Sequence, residues 1–414
     1  MARQPSMTRR RFLRRGAGAA GALAAAPFVI PAGALGADGR PAPSERITMG
    51  YIGVGGRGSG DMRAFLNFKE VQGLAVCDVF KSRQQGAKRH VDQRNGNTDC
   101  ATYTDFRELI ARDDIDAVSI GTPDHWHALI GIAACKSGKD VFCEKPLSLT
   151  IKEGRAMVQA ARRYGRVFSS GSQRVLGDYG KLARQVQKGE LGQIHECFAD
   201  PGGPPRHCNL PAEPVPDDLD WDLWLGPAPW AAYHPYRCGR AYGLGGKGFR
   251  TWYDYSGGMM TDWGGHKFGG AMFALGLDET GPVEIIPPDG KEHKALTYRF
   301  QCGVLMYVTG GGPSYKAAKG NVPGLTWKPP THLLDRDYKG HGGLPGDFLH
   351  CVRTREKPFR DVEYGHRVAT VCHLGNIAYE LKRPLRWDPV KEEFPGDEEA
   401  NRMRWRPMRE PWRI

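Results

Sequence analysis

The sequence predicts an α/β protein: an N-terminal dinucleotide-binding domain on a parallel sheet, followed by a C-terminal α+β domain. Three observations carry this. An apolar segment, Ile47 to Val54, runs directly into Gly53-x-Gly55-x-x-Gly58 and a helix-like stretch. A second apolar segment, VQGLAVCDVF, places Asp78 20 residues past Gly58. Strand-like and helix-like patterns then alternate at short spacing, the pattern of a sheet wound on both sides.

Each element has a physical reason. In the turn, the first glycine permits the tight bend, the second lets a pyrophosphate approach the backbone, and the third allows close helix-on-strand packing. The following helix N-terminus offers unpaired N–H groups to phosphate. Gly53, Gly55, Gly56, Arg57 and Gly58 are therefore the expected phosphate-side contacts. A carboxylate at Asp78 would accept from adenosine ribose hydroxyls and repel a 2′-phosphate, which favours NAD over NADP; Lys81 and Arg83 nearby keep the phosphorylated form in play. The alternation continues through TDFRELIAR (helix), IDAVSIGTP (strand), HALIGIAACKSG (helix) and KDVFCEKP (strand). Thr150 and Glu153 form a capping-box pattern opening IKEGRAMVQAARRY, which Gly165 ends. Ligands of such sheets lie outside the strand carboxyl ends, where GTPDHWH and CEKPL fall, so Thr122, Pro123, His125, His127, Glu144 and Lys145 join the expected cofactor contacts.

The chain has 414 residues, enough for two ordinary domains, with 40% hydrophobic and 25% charged residues. Its net charge is +12, but six arginines lie in the first 15 residues, and no basic stripe remains in the body. Nucleic-acid binding is not expected. That N-terminus, TRRRFLRRGAGAAGALAAAPFVIPAGALGA, reads as a twin-arginine signal peptide over residues 1–37, followed by a linker at 38–45. Its apolar run is weak and interrupted by Pro27 and Pro31, so export in the folded state to the periplasm, with no membrane span after signal removal, is expected. Ten cysteines without a C-x-x-C motif argue against a structural zinc site, and no metal site is expected. Cys77, Cys135 and Cys143 lie in apolar segments as buried thiols, while Cys208 and Cys238 could pair in an oxidising compartment.

The second half changes character after Pro201. Residues 221–255 hold ten aromatics, Trp221, Trp224, Trp230, Tyr233, Tyr236, Tyr242, Phe249, Trp252, Tyr253 and Tyr255. Such rings stack on sugar C–H faces, and Arg237 and Arg250 can bond ring hydroxyls, which favours a sugar or cyclitol ligand; packing of the loop's own core is the competing reading. In TDWGGHKFGG, Asp262 and His266 share one face if the segment is helical. The pair is either catalytic or a helix-surface ion pair. EHKALTYRFQCGVLMYVTG reads as a hairpin, and GLPGDFLHCVRTREKP and GHRVATVCHLGNIAYEL as amphipathic helices, the second returning to the first domain. His350, His366 and His373 are expected to be packed or surface residues.

GVGGRGSG, TPDHWHA, CEKPL and Asp262-x-x-x-His266, taken in order, resemble the glucose-fructose oxidoreductase and inositol dehydrogenase (Gfo/Idh/MocA) family. WDLWLGPAPWAAYHPYR, DYSGGMMTDWGGH, CHLGNIAYEL, WDP and GDEEAN resemble an exported bacterial subgroup with its own C-terminal domain type. The resemblance implies a Rossmann domain over 46–168, a substrate-binding and oligomerisation domain with a large open, mostly antiparallel sheet over 169–390, a tail over 391–414, and a homo-oligomer, dimer or tetramer. It implies Lys145 as the positive charge near the reacting oxygen, His266 as general base and Asp262 as the partner that binds substrate or orients the imidazole. Gln173, Arg250, Trp252, Tyr253 and Trp263 are the expected substrate contacts. Close relatives often carry an aspartate where this chain has Gly269, and a neutral residue or histidine where it has Lys267, so an anchor for a substrate hydroxyl or a metal is missing here. The implied activity is NAD(P)-dependent hydride transfer at a secondary alcohol of a sugar, sugar derivative or inositol-like polyol. A glycosidase that recycles tightly bound NAD, and a non-catalytic sugar-binding protein, are the two alternatives.

Overall fold

The computed structural model describes residues 41–239 and 248–414. The expected signal segment at 1–37, the first three residues of the expected linker and Tyr242 lie outside them. Ile47–Ile414 forms one compact unit; the other, Met1–Arg46, contributes a short 3-10 turn at Pro43–Glu45.

Six strands build the first sheet: β1 (Ile47–Ile52), β2 (Val71–Cys77), β3 (Ala101–Tyr103), β4 (Ala117–Ile120), β5 (Asp140–Glu144) and β6 (Phe168–Gly171). Their order is β3-β2-β1-β4-β5-β6 and every pairing is parallel. The chain reverses its winding direction between β1 and β4, which opens a crevice at the strand carboxyl ends. Buried side chains on β1, β4 and β5 explain their continuous apolar runs, since helices cover both faces. The capping box is present: Thr150 Oγ1 accepts from Glu153 N at 3.3 Å and Glu153 Oε2 accepts from Thr150 N at 2.8 Å.

The second sheet contains β7 (Ile194–Phe198), β8 (Glu284–Ile286), β9 (Thr297–Arg299), β10 (Leu305–Tyr307), β11 (Ser314–Ala317) and β12 (Leu385–Arg386). Its order is β11-β7-β10-β9-β8-β12, antiparallel except where β10 meets β7. The expected hairpin is β9–β10. Helices Gly264–Leu275 and Val362–Leu381 share one core with this sheet, through Phe268, Met272, Tyr298, Met306 and Leu374. Val362–Leu381 is buried around most of its circumference rather than on one stripe, because it is wedged between Gly264–Leu275 and Ile151–Arg163 of the first domain. His366 and His373 are packed within it, on Glu392 and the Ser148 carbonyl.

Candidate functional site

A groove of about 420 Å³ opens at the β1/β4 crevice. Its floor is Ile52, Gly53, Gly121 and Thr122. Gly53 has φ +77° and a Cβ there would lie 2.5 Å from Thr122 N; a Cβ on Gly58 would lie 1.9 Å from Gly53 O. Only glycines let the turn, the helix and β4 approach this closely. The helix Gly56–Leu66 starts at Gly55, which provides no side-chain cap, so its first N–H groups face the groove's ligand space. At the end of β2, Asp78 lines the groove and accepts from Phe80 N at 3.0 Å. Burial raises its pKa above the ordinary value, against the opposing pull of Arg83. An uncapped helix start, a glycine cradle and a carboxylate at the ribose position together fit a dinucleotide.

The second domain roofs this groove. Leu223, Trp224, Phe249 and Arg250 line it from above, and Phe106 and Trp126 close the end nearest Asp78. Asp218 ties the roof down by accepting from Ser82 N and Ser82 Oγ, both at 2.7 Å. The C-terminal tail then clamps it: Arg409 bonds Asp222 Oδ1 at 2.6 Å and Gly226 O at 2.9 Å, while the Trp412 ring lies 4.8 Å from Trp126 and 6.3 Å from Phe106.

At the far end, Lys145 Nζ donates to Asp262 Oδ1 at 2.6 Å and Arg250 Nε donates to the same oxygen at 2.9 Å. Burial alone would raise the Asp262 pKa, but Lys145 and Arg250 outweigh it and hold the carboxyl below its usual value. Asp262 ends the helix Gly258–Asp262, Trp263 is the joint, and Gly264–Leu275 follows. Gly265 is required because the Lys145 stem passes there: a Cβ would sit 3.1 Å from Lys145 Cβ. One residue on, His266 Nδ1 lies 3.0 Å from Ser172 Oγ, which donates to Gly265 O at 2.9 Å. A hydroxyl has one proton to give, so Nδ1–H donates to Ser172 and Nε2 keeps the lone pair. Burial first, and Lys145 second, push the His266 pKa down to about 3, so the imidazole is neutral.

Several expectations change on this geometry. Asp262 pairs with Lys145 and Arg250, and Ser172 is the side chain that hydrogen-bonds the imidazole; two short helices meeting at Trp263 replace the single helical face. His125 and His127 are not among the groove-lining residues. His125 Nε2 is 3.0 Å from Trp224 O, and His127 bridges Pro146 O (2.8 Å) and Thr122 O (2.9 Å), so both brace the turn, while their neighbours Asp124 and Trp126 face the groove. Gly58 acts through helix packing rather than as groove wall. Arg57 lines the groove and is tied to Asp61 Oδ1 at 2.6 Å and Glu144 Oε1 at 3.0 Å. Of the expected substrate contacts, Arg250 and Trp263 stand in the cluster, the Trp263 ring being 5.9 Å from His266. Gln173 begins the adjoining turn with its Oε1 buried and without a hydrogen-bond partner among the described residues. Trp252 and Tyr253 are engaged elsewhere, Trp252 donating to Tyr236 O at 2.8 Å and Tyr253 stacking under Arg406 at 3.6 Å. Trp221, Trp224, Tyr233 and Tyr255 pack a core of their own, the competing reading of the aromatic loop. Cys208 and Cys238 do not form a disulfide with each other. Among the described residues, no group of three or more His, Cys, Asp or Glu could hold a metal, and no helix is long and apolar enough to cross a membrane.

A parallel sheet in this order with a glycine cradle defines a dinucleotide-dependent enzyme class. Two family models match the chain: the oxidoreductase family's NAD-binding Rossmann fold over residues 47–172, and its C-terminal alpha/beta domain over 206–414. The chain belongs to the Gfo/Idh/MocA oxidoreductase family, and its first domain is an NAD-binding Rossmann fold. A curated relative, glycosyl hydrolase family 109 protein 1 of Shewanella sp. (strain ANA-3), is 39% identical over 123 residues; the match covers 29% of this chain and 27% of that protein. Among solved structures, myo-inositol 2-dehydrogenase from Lactobacillus plantarum superposes with a TM-score of 0.56 at 17% identity, covering 82% of this chain and 99% of that one. GenD2 from gentamicin A biosynthesis, in complex with NAD, gives 0.55 at 16% identity, covering 84% and 98%. At these identities the structures share the fold.

Proposed function

We propose that the protein is an NAD-dependent oxidoreductase acting at a secondary alcohol of a sugar, sugar derivative or inositol-like polyol. The observation that carries this is the convergence of Lys145, Asp262 and His266, drawn from two domains, at one end of the dinucleotide groove. NAD, when bound, supplies the carbon that accepts or returns hydride. Gly53, Gly55, Gly56 and the helix start behind them would hold its phosphates, and Asp78 would hold the adenosine ribose in preference to a 2′-phosphate. The neutral imidazole takes the hydroxyl proton at Nε2, and the Lys145 ammonium stabilises the alkoxide-like oxygen as that proton leaves. Asp262 anchors both cations so that the ammonium is fixed before substrate arrives. Trp263, with Arg174 at 5.1 Å and Lys267 at 5.5 Å over its ring, stands beside the base as a sugar contact. Residues 1–37 direct export of the folded protein to the periplasm. The test is reduction of NAD by a panel of polyols and free sugars, with loss of that activity in Lys145→Ala.

A second reading, redox-neutral glycoside cleavage with retained NAD, is favoured by the name of the curated relative. That match covers only 27% of the relative's length, so the relative's activity is not carried over whole. Cleavage of a glycoside with no net NADH would select it over the first.

A further inference from the structure

We infer that the protein holds a single halide-sized anion in its interior, on the guanidinium of Arg360. This residue lies outside the proposed catalytic cluster and is 1% exposed. Nε and Nη1 are buried and have no hydrogen-bond partner among the described residues. Arginine does not escape such a position by losing its proton, and an unpaired buried charge costs far more than a paired one. The charged and phenolic groups that act on it most strongly are Asp278, Arg336, Tyr338 and Tyr364. Asp278 is committed to Arg336, which donates to its two oxygens at 3.3 and 2.5 Å, so two guanidiniums face one carboxylate.

Arg360 also lines a small cavity of about 10 Å³ with Lys145, Ser170, Thr261, Gly265 and Val368. That volume is about what one water-sized particle needs. Two cationic residues and two hydroxyl residues line it, and no carboxylate does. Gly269 keeps the neighbouring space clear: a Cβ there would be 3.5 Å from Arg360 Nη2 and 3.2 Å from Val175 Cγ2. A small anion compensates the charge that the single Asp278 carboxylate, shared with Arg336, leaves over. Because the cavity wall includes Lys145 and Gly265, the ion also supports the junction on which His266 is mounted.

The test is thermal unfolding of the full chain in sodium chloride, sodium bromide and sodium gluconate at equal ionic strength, with a crystal grown in bromide. The expected result is a midpoint at least ~2 °C higher in either halide than in gluconate, as ligand linkage requires, and a bromide anomalous peak against Arg360 Nε or Nη1. Arg360→Met removes the difference. Gly269→Asp, which supplies a built-in carboxylate beside Nη2, also removes it and raises the midpoint in gluconate. Equal midpoints for the unaltered protein in all three salts with no bromide peak, meaning water alone in the cavity, would overturn the assignment. So would an undiminished halide effect in Gly269→Asp. If Arg360→Met does not fold, the bromide peak and Gly269→Asp decide.

Discussion

Lys145 Nζ and Asp262 Oδ1, 117 residues apart in the chain, meet at 2.6 Å and join the end of the Rossmann sheet to the end of the helix Gly258–Asp262 in the second domain. The pair is largely buried, with both side chains 12% exposed. Removing Asp262 leaves the Lys145 and Arg250 charges without their shared carboxylate. Asp262→Asn is expected to destabilise the protein by about 3 kcal/mol, whereas Lys145→Met with Asp262→Asn together costs less than the sum of the two single changes. Chemical denaturation of the four proteins of this cycle checks it.

Ser172 is expected to act on rate rather than on affinity. Ser172→Ala frees the imidazole to adopt the other tautomer, with an expected ~10-fold or greater fall in kcat and little change in KM. Ser172→Thr keeps the hydroxyl and is expected to restore most of the activity. Equal losses in both variants would mean that the position matters only for packing.

The low pKa of His266 sets the pH response. Its folded value, about 3, lies below the ordinary 6.5, so between these two values the unfolded chain binds a proton that the folded one does not. Stability therefore falls as pH drops through that window, and His266→Asn is expected to lose less of it than the unaltered protein. The base also stays unprotonated in the same window, so kcat/KM for alcohol oxidation should show no histidine-like fall near pH 6.5. Midpoint-versus-pH curves and a kcat/KM profile test the two halves separately.

The tail should govern how long the cofactor stays. Arg409 and Trp412 fasten the roof over the end of the groove nearest Asp78, so Arg409→Ala with Trp412→Ala is expected to speed NAD release ~10-fold or more. Stopped-flow displacement of bound NADH measures this without reference to turnover. At the same end, Asp78→Ala is expected to narrow the preference for NAD over NADP, read as the ratio of their dissociation constants.

Legibility in the sequence followed how local each signal was. The glycine turn, Asp78, the capping box and Lys145 were readable because each is fixed by neighbours a few residues away. Three elements of the first domain were not: β3 and β6 span only three and four residues, and the helix Lys81–Asn95 buries just Gln84, Ala87 and Val91 and so shows no apolar stripe. Asp262 and His266 were found by motif, yet their partners were misassigned, since i and i+4 spacing cannot show that Trp263 breaks the helix or that Ser172 lies 94 residues upstream. Trp252 and Tyr253 carried the composition of a sugar site but pack on Tyr236 and Arg406, contacts that composition does not encode. The tail read as a terminal extension because its role rests on long-range bonds to Asp222 and Gly226.

The most direct measurement is transfer of deuterium from the carbinol carbon of labelled polyols and sugars to NAD, followed by mass spectrometry for the unaltered protein and Lys145→Ala. The account expects deuterated NADH from at least one member of the panel and none from the variant. Glycoside cleavage with no deuterium appearing in free NADH, or equal transfer by Lys145→Ala, would contradict it.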